Sequence, residues 1–422
     1  MTPPKQVDRG VFLGATRKAL RNRNFRNYAV IQVLHSVGLW SQRVGELWLV
    51  YQVTGSGFSL GLATALRTVP SLLMSPLAGV LADRYERKTL LRVSHLLKAL
   101  ITTIFWAVAT YSDPGIASLY GLILLLGLIT TFDAPIRRGF VRVIVPSELL
   151  QDAASLHTAV ISVGRIIGPA VGGLLIGLFG TPSSFLANSI CAILGFFILS
   201  IIKTTAIVHS RESLTKTFRS AVSYAWRTKE LRITLAYLAV ACLTVLNIEV
   251  ILPIVTEVRL GGGSATLSAL LVFLSVGSLL GSLGAAERRS NSPSFPWLLA
   301  VQSVVTILLA WAPTTPLVIL SLILVGLTSG AFLGRANAHV QSVVEASFHG
   351  RIVAIYAMIF VGMRSLGNIL MGFFVEHFGA SSALRISALC NAAMVLSIFA
   401  ITTNSSRIDV SPAIEDSDPE AI

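Results

Sequence analysis

Gly79-Val-Leu-Ala-Asp83-Arg84-Tyr-Glu-Arg87-Lys88 is the stretch on which the reading of this chain turns. It separates two long apolar segments, roughly 54–82 and 89–111. Each is long enough to cross a bilayer as a helix. A gap of about six residues leaves no room for a domain, so the two segments must be antiparallel neighbours joined by a tight turn. The turn carries the charges of Asp83, Arg84, Glu86, Arg87 and Lys88.

Composition agrees with a membrane setting. Apolar residues make up 54% of the chain and charged residues 13%, with a mean hydropathy of +0.75. A soluble domain carries about 25% charge, and a soluble chain of 422 residues would be two or three domains joined by polar loops. Here apolar runs recur along nearly the whole length. The spacing predicts twelve spans: 27–52, 58–82, 89–111, 117–138, 152–178, 184–202, 232–256, 265–286, 296–312, 316–337, 351–376 and 382–402. The expected organisation is a six-helix unit over 1–202, a charged connection at 203–231, a second six-helix unit over 232–403 and an acidic, disordered tail at 404–422. The connection is expected to be helical from Thr217 to Trp226. Cys191, Cys242 and Cys390 fall inside apolar runs without metal spacing and read as small hydrophobes. The first span is too long for a cleaved leader, so it is expected to be retained.

The net charge of +13 suggests nucleic acid only until it is located. Of 33 Lys and Arg, Arg259 and Arg385 alone lie near the odd-numbered loops, and Arg43, Arg67, Lys98, Arg165 and Arg364 lie inside spans. The rest sit in the N-terminal tail, in or beside the even-numbered loops, or in the C-terminal tail. That asymmetry is the positive-inside pattern and places both termini in the cytoplasm. A nucleic-acid partner loses its support, because the charge is spread over loops rather than gathered with aromatics on one face.

The chain repeats itself. Val141–Gly180 aligns with Val340–Gly379 without a gap, matching Arg165 to Arg364, Gly168 to Gly367, Gly173 to Gly372 and Phe179-Gly180 to Phe378-Gly379. Glu46 corresponds to Glu249, and Asp83-Arg84 to Glu287-Arg288, at a slightly larger offset. Duplicated halves with a substrate site between them near mid-membrane are a transporter architecture.

Two motifs carry a resemblance. The loop Gly79, Asp83, Arg84, Arg87, Lys88 fits G-x-x-x-D-R-x-x-R-[KR], the signature between helices 2 and 3 of the major facilitator superfamily. Gly164-Arg165-Ile-Ile-Gly168-Pro169-Ala-Val-Gly172-Gly173 resembles that superfamily's antiporter motif at every fixed position. Glu86 stands where Gly is common in the family. With the antiporter motif it is similar to the drug:proton antiporter branch that includes the enterobactin exporter. The resemblance implies an all-helical protein whose first loop latches the halves together, and whose helices 1, 4, 7 and 10 line a central cavity. Glu46, Asp133, Glu249 and Arg335 would then lie near that cavity. Four glycines and a proline in one span predict a kinked helix with a bare face for a neighbour; generic small-residue packing is the plainer reading.

Ionisable groups inside spans need a partner or a cavity, because a mid-bilayer charge costs about 2.5–3.5 kcal/mol. Arg43 and Glu46 are three apart on one helix face, and Arg67 falls at a comparable depth. Asp133 and Arg137 are an i, i+4 pair that also reads as a plain ion pair at a helix end. Arg165 and Arg364 are the paired repeat positions. Glu46 or Glu249 is expected to carry a proton. No phosphate-binding loop, metal-spaced cluster or nucleophile elbow occurs, so no enzyme chemistry and no cofactor is expected, the driving force being a proton gradient. The reading is a monomeric, multi-pass cell-membrane transporter that exports a small amphipathic drug or siderophore by alternating access. Proton-coupled uptake of a nutrient, or a non-transporting receptor or scaffold, are the alternatives; the in-span charges weigh against the last.

Overall fold

The structure is a computed structural model that describes residues 23–145, 149–202, 215–287, 295–345 and 348–408. The described residues are helical with short connections. α1 (Arg23–Thr54), α2 (Gly57–Arg84), α3 (Arg87–Tyr111), α4 (Ile116–Ile144), α5 (Leu150–Phe179) and α6 (Ser183–Ile201) come first. A shorter helix, α7 (Thr215–Arg227), contains the stretch expected to be helical in the connection and stacks Tyr224 on Phe348 with centroids 4.4 Å apart. Then follow α8 (Lys229–Leu243), the short α9 (Leu252–Ile254), α10 (Ser264–Glu287), α11 (Phe295–Trp311), α12 (Thr315–Val343), α13 (His349–Phe378) and α14 (Ala380–Ile408). α14 continues through 404–408, so the expected tail begins later than 404. The N-terminal tail 1–22, residues 203–214 and 409–422 lie outside the described residues.

Among the described residues, ten helical stretches are long and apolar enough to cross a membrane. α1 is not one of them, because it buries Gln32, Gln42, Arg43 and Glu46 along its length. α11 is apolar but has only 17 residues. Polar side chains turned inward and Leu, Val and Phe turned outward are what a bilayer demands, since lipid offers no hydrogen-bond partners. Leu73, Leu174, Phe197, Leu308 and Leu396 are among the exposed apolar side chains.

The span expected at 232–256 is not one helix. α8 stops at Leu243; residues 244–247 unwind, a 3-10 turn covers Ile248–Val250, and the chain resumes as α9 and a π-helical turn, Val255–Arg259. The freed carbonyls are satisfied by side chains. Asn247 donates to Cys242 O at 2.8 Å, and Ser387 Oγ to Thr244 O at 2.7 Å. Gly367 of α13 lies directly against this unwound backbone; a Cβ there would fall 2.5 Å from Cys242 O and 2.6 Å from Leu243 O.

The aligned segments end alike. α5 and α13 are both capped by a glycine with positive φ, Gly180 at 82° and Gly379 at 75°, whose N–H bonds Ile176 O and Val375 O. Positive φ is strained for a residue with a Cβ, hence the matched Phe-Gly pairs. Between the first six helices and those after residue 214, α2 packs on α13 and α5 on α10. Thr68 and Ser365 share a hydrogen bond of 2.7 Å, and Glu376 accepts from Gly57 N at 2.8 Å.

Candidate functional site

Three groups of charge form inside the bundle. The first is on α1 and α2. The Glu46 carboxylate, 1% exposed, accepts from Arg67 and from Gln42 at 2.8 Å, with Arg43 3.5 Å away. Arg43 also donates to Thr64 Oγ1 at 3.0 Å. Arg43 and Glu46 share a helix face because they are three apart. Arg67 reaches them because α2 runs antiparallel to α1.

The second group ties α1, α3 and α4 together, with α5 reached through His157. Asp133 accepts from Lys98 at 2.6 Å, from Ser94 at 2.9 Å and from Arg137, whose Nε stands at 3.1 Å. Arg137 in turn donates to Gln32, which contacts His157 at 2.7 Å, and Tyr28 donates to Arg137 O at 3.0 Å. Asp133 is therefore held among the first six helices and is not among the residues lining the central cavity described below. Its two cations draw it into the helix packing. Lys98 was legible as an in-span charge, but its tie to Asp133 crosses two helices and no spacing rule gives it. Tyr28 and Gln32 carry no sequence signal of this role.

The third group sits where the two sets of helices meet. Glu249, on the 3-10 turn, accepts from Arg364 of α13 at 3.1 Å and lies 3.6 Å from Arg165 of α5. Each guanidinium also rests on an aromatic ring: Arg165 on Trp40 at 4.9 Å and Arg364 on Phe360 at 5.8 Å. These side chains line a cavity that opens to the outside of the bundle. Its wall includes Trp40, Arg43, Arg165, Glu249, Phe360 and Arg364, with Pro169 and a mixture of leucine, valine and serine side chains from α10 and α12. Of the four residues expected near a cavity, Glu249 lines this one, while Glu46, Asp133 and Arg335 are not among its lining residues. Glu46 is held back by Arg67, and Arg335 sits farther along α12. Sequence alignment paired Arg165 with Arg364; the fold brings both to one carboxylate.

The α5 motif does two jobs. A Cβ at Gly164, Gly168 or Gly172 would collide with Ser36, Trp40 or Ser41 of α1, whereas one at Gly173 would collide with Ser268 of α10. The glycines thus let α5 approach a neighbour in each helical set. α5 continues without a break across Pro169.

The Gly79–Lys88 stretch is mostly helix. α2 runs through Arg84, Tyr85 caps it, and α3 begins at Arg87. Arg87 donates to Gly139 O of α4 at 3.4 Å, and Lys88 to Ser200 O at 3.3 Å and Ile202 O at 2.6 Å. A cation at the carbonyl end of α6 is favoured by the helix dipole. The Asp83 side chain lies outside those described. Among the described residues no His, Cys, Asp and Glu cluster has metal-site geometry.

A bundle of membrane-crossing helices around a charge-lined cavity defines a multi-pass membrane transporter, and solved transporters share its fold. The nucleoside transporter NupG superposes with a TM-score of 0.73 at 15% identity, covering 90% of this chain and 99% of that one. A bacterial homologue of the human lysosomal transporter Spinster, inward-facing and unoccupied, superposes with a TM-score of 0.71 at 14% identity, covering 91% and 98%. The chain belongs to the transmembrane secretion effector family of the major facilitator superfamily, whose profile matches residues 15–419. The staphyloferrin A transporter of Staphylococcus aureus is 25% identical over 84% of this chain and 91% of its own length. The multidrug efflux pump Tap of Mycolicibacterium fortuitum is 27% identical over 77% and 82%. The macrolide efflux protein A of Streptococcus pyogenes is 20% identical over 83% and 90%. The protein is a transporter and not an enzyme.

Proposed function

We propose that this protein exports a small amphipathic molecule in exchange for protons, by alternating access between two six-helix halves, 1–202 and 232–403. The single observation that carries the reading is the position of Glu249. It is the carboxylate among the cavity's lining residues, and its partners come from both sets of helices. Protonating it weakens its hold on Arg165 and Arg364, so a proton and a substrate can compete for the same cations. A charge change at a contact between two bodies is what biases a two-state equilibrium.

The remaining features follow from this reading. The Lys/Arg asymmetry supports cytoplasmic termini and a cytoplasmic 203–231 connection. Gly79, Asp83, Arg84, Arg87 and Lys88 serve as the latch at that face. Glu46, with Arg43 and Arg67, keeps a buried charge pair close to the cavity. A proton gradient is the driving force, with no cofactor and no nucleic-acid partner, and a monomer suffices because the cavity is built by one chain. Export is favoured by the relatives whose names are efflux pumps.

The test is accumulation of fluorescent substrates in cells producing the protein, with and without a protonophore. Lower accumulation that a protonophore abolishes supports proton-driven export. Higher accumulation, or no response to the protonophore, sinks it.

A further inference from the structure

We infer that the cavity recognises the carboxylate group of an anionic substrate, with Arg165 and Arg364 as its clamp and Glu249 as the internal occupant that the substrate displaces. The inference deepens the export reading above and rests on it for the direction of transport only.

Charge is the first observation. The two ion-pair groups nearest the cavity contain the guanidiniums of Arg43, Arg67, Arg165 and Arg364 against the carboxylates of Glu46 and Glu249. Glu46 contacts Arg67 and Arg43, and Glu249 contacts Arg364 and Arg165, so each carboxylate is shared by two cations. The cavity wall itself carries Arg43, Arg165 and Arg364 against Glu249 alone. An excess of positive charge within an apolar bundle attracts an anion and repels a cation, and the low dielectric strengthens both effects.

Geometry is the second. Both clamp arginines reach the same atom, Glu249 Oε1, at 3.1 and 3.6 Å. A carboxylate is thus the group their positions already fit. Arg165 lies over the Trp40 ring and Arg364 over the Phe360 ring, so the placement of the guanidiniums does not depend on Glu249 alone. The Arg165 side chain is 36% exposed and that of Arg364 22%, against 12% for Glu249, which leaves the clamp reachable from the cavity. Leu271, Leu274, Val325 and Leu333 of α10 and α12 also line the cavity, with Ser275, Ser278 and Ser329 among them, so the fitting substrate pairs its carboxylate with a body that is mostly apolar and carries hydrogen-bonding groups.

The full-length protein in nanodiscs is titrated with dansyl-glutamate and dansyl-cadaverine, which carry one fluorophore on opposite charges. The anion is expected to bind at least tenfold more tightly. Arg364→Gln and Arg165→Gln should each weaken it about tenfold, the loss of one charge-assisted contact. Arg364→Lys, which keeps the charge, should retain part of the affinity. Glu249→Gln should bind the anion more tightly, because it removes the competitor; a merely structural Glu249 would not produce a gain. Preference for the cation, no anion binding at millimolar concentration, or anion binding indifferent to Arg165, Arg364 and Glu249 overturns the inference. Failure of protonophore-sensitive export with anion selectivity intact would refute the export reading and leave the clamp standing; loss of selectivity with export intact would do the reverse.

Discussion

Arg165 and Glu249 face each other at 3.6 Å, one on a helix before residue 203 and the other after residue 214. Glu46, at the matching position of the repeat, has its ion-pair partners among the described residues on α1 and α2. Positions equivalent in sequence therefore differ in what they connect.

Glu249→Gln is expected to give a folded, inserted protein whose efflux no longer follows the imposed pH gradient. The amide keeps the size and can still accept a hydrogen bond from Arg364, but it cannot titrate. Efflux from everted vesicles at several imposed gradients reads this out. A variant whose transport keeps the full pH response would show that the proton travels elsewhere.

Glu46→Gln should act on stability instead. It leaves Arg43 and Arg67 without a counter-charge in a buried setting, where breaking such a pair costs about 3–5 kcal/mol. Thermal unfolding of the detergent-solubilised protein should show a clear drop, and adding Arg67→Gln should recover much of it. If the single variant unfolds normally but loses its pH response, Glu46 is a proton carrier.

Asp133→Asn is expected to be the most disruptive of the carboxylate changes. It strands both Lys98 and Arg137, whose other ties run to Gln32 and, through it, to His157. Surface yield and melting temperature should both fall. Normal yield together with lost transport would instead give Asp133 a role in the transport cycle.

Gly173→Ala places a methyl against the Ser268 side chain at the α5–α10 contact, whereas Gly177→Ala, one helical turn on, meets open space. Transport should fall with the first and persist with the second. Ser268→Gly should relieve the first, as measured by export rate in the double variant. Equal tolerance of both alanines would mean that α5 and α10 do not need this approach.

Membrane-impermeant thiol labelling of intact cells should reach a cysteine placed at Ser56 and miss one at Ser213. The opposite pattern would invert the orientation drawn from the Lys and Arg distribution.

Much of this protein is legible along the chain, because the bilayer imposes a one-dimensional rule. Helices must be apolar for about 20 residues, so span positions and the turn between α2 and α3 can be read locally. The Phe-Gly caps at 179–180 and 378–379 are equally local, since positive φ selects glycine. The Arg43–Glu46 and Asp133–Arg137 pairs follow from helical spacing. What spacing could not supply is anything that crosses between helices. The break after Leu243 was hidden inside an apolar run, because it is sustained by Ser387 from α14, Asn247 and the bare backbone of Gly367. Lys98 joins Asp133, and Arg165 meets Arg364 over one carboxylate, only because separate helices are packed to bring them within hydrogen-bond reach. Hydropathy along the chain determines which segments enter the membrane; the packing of side chains between those segments decides which buried charges neutralise each other and which face the cavity.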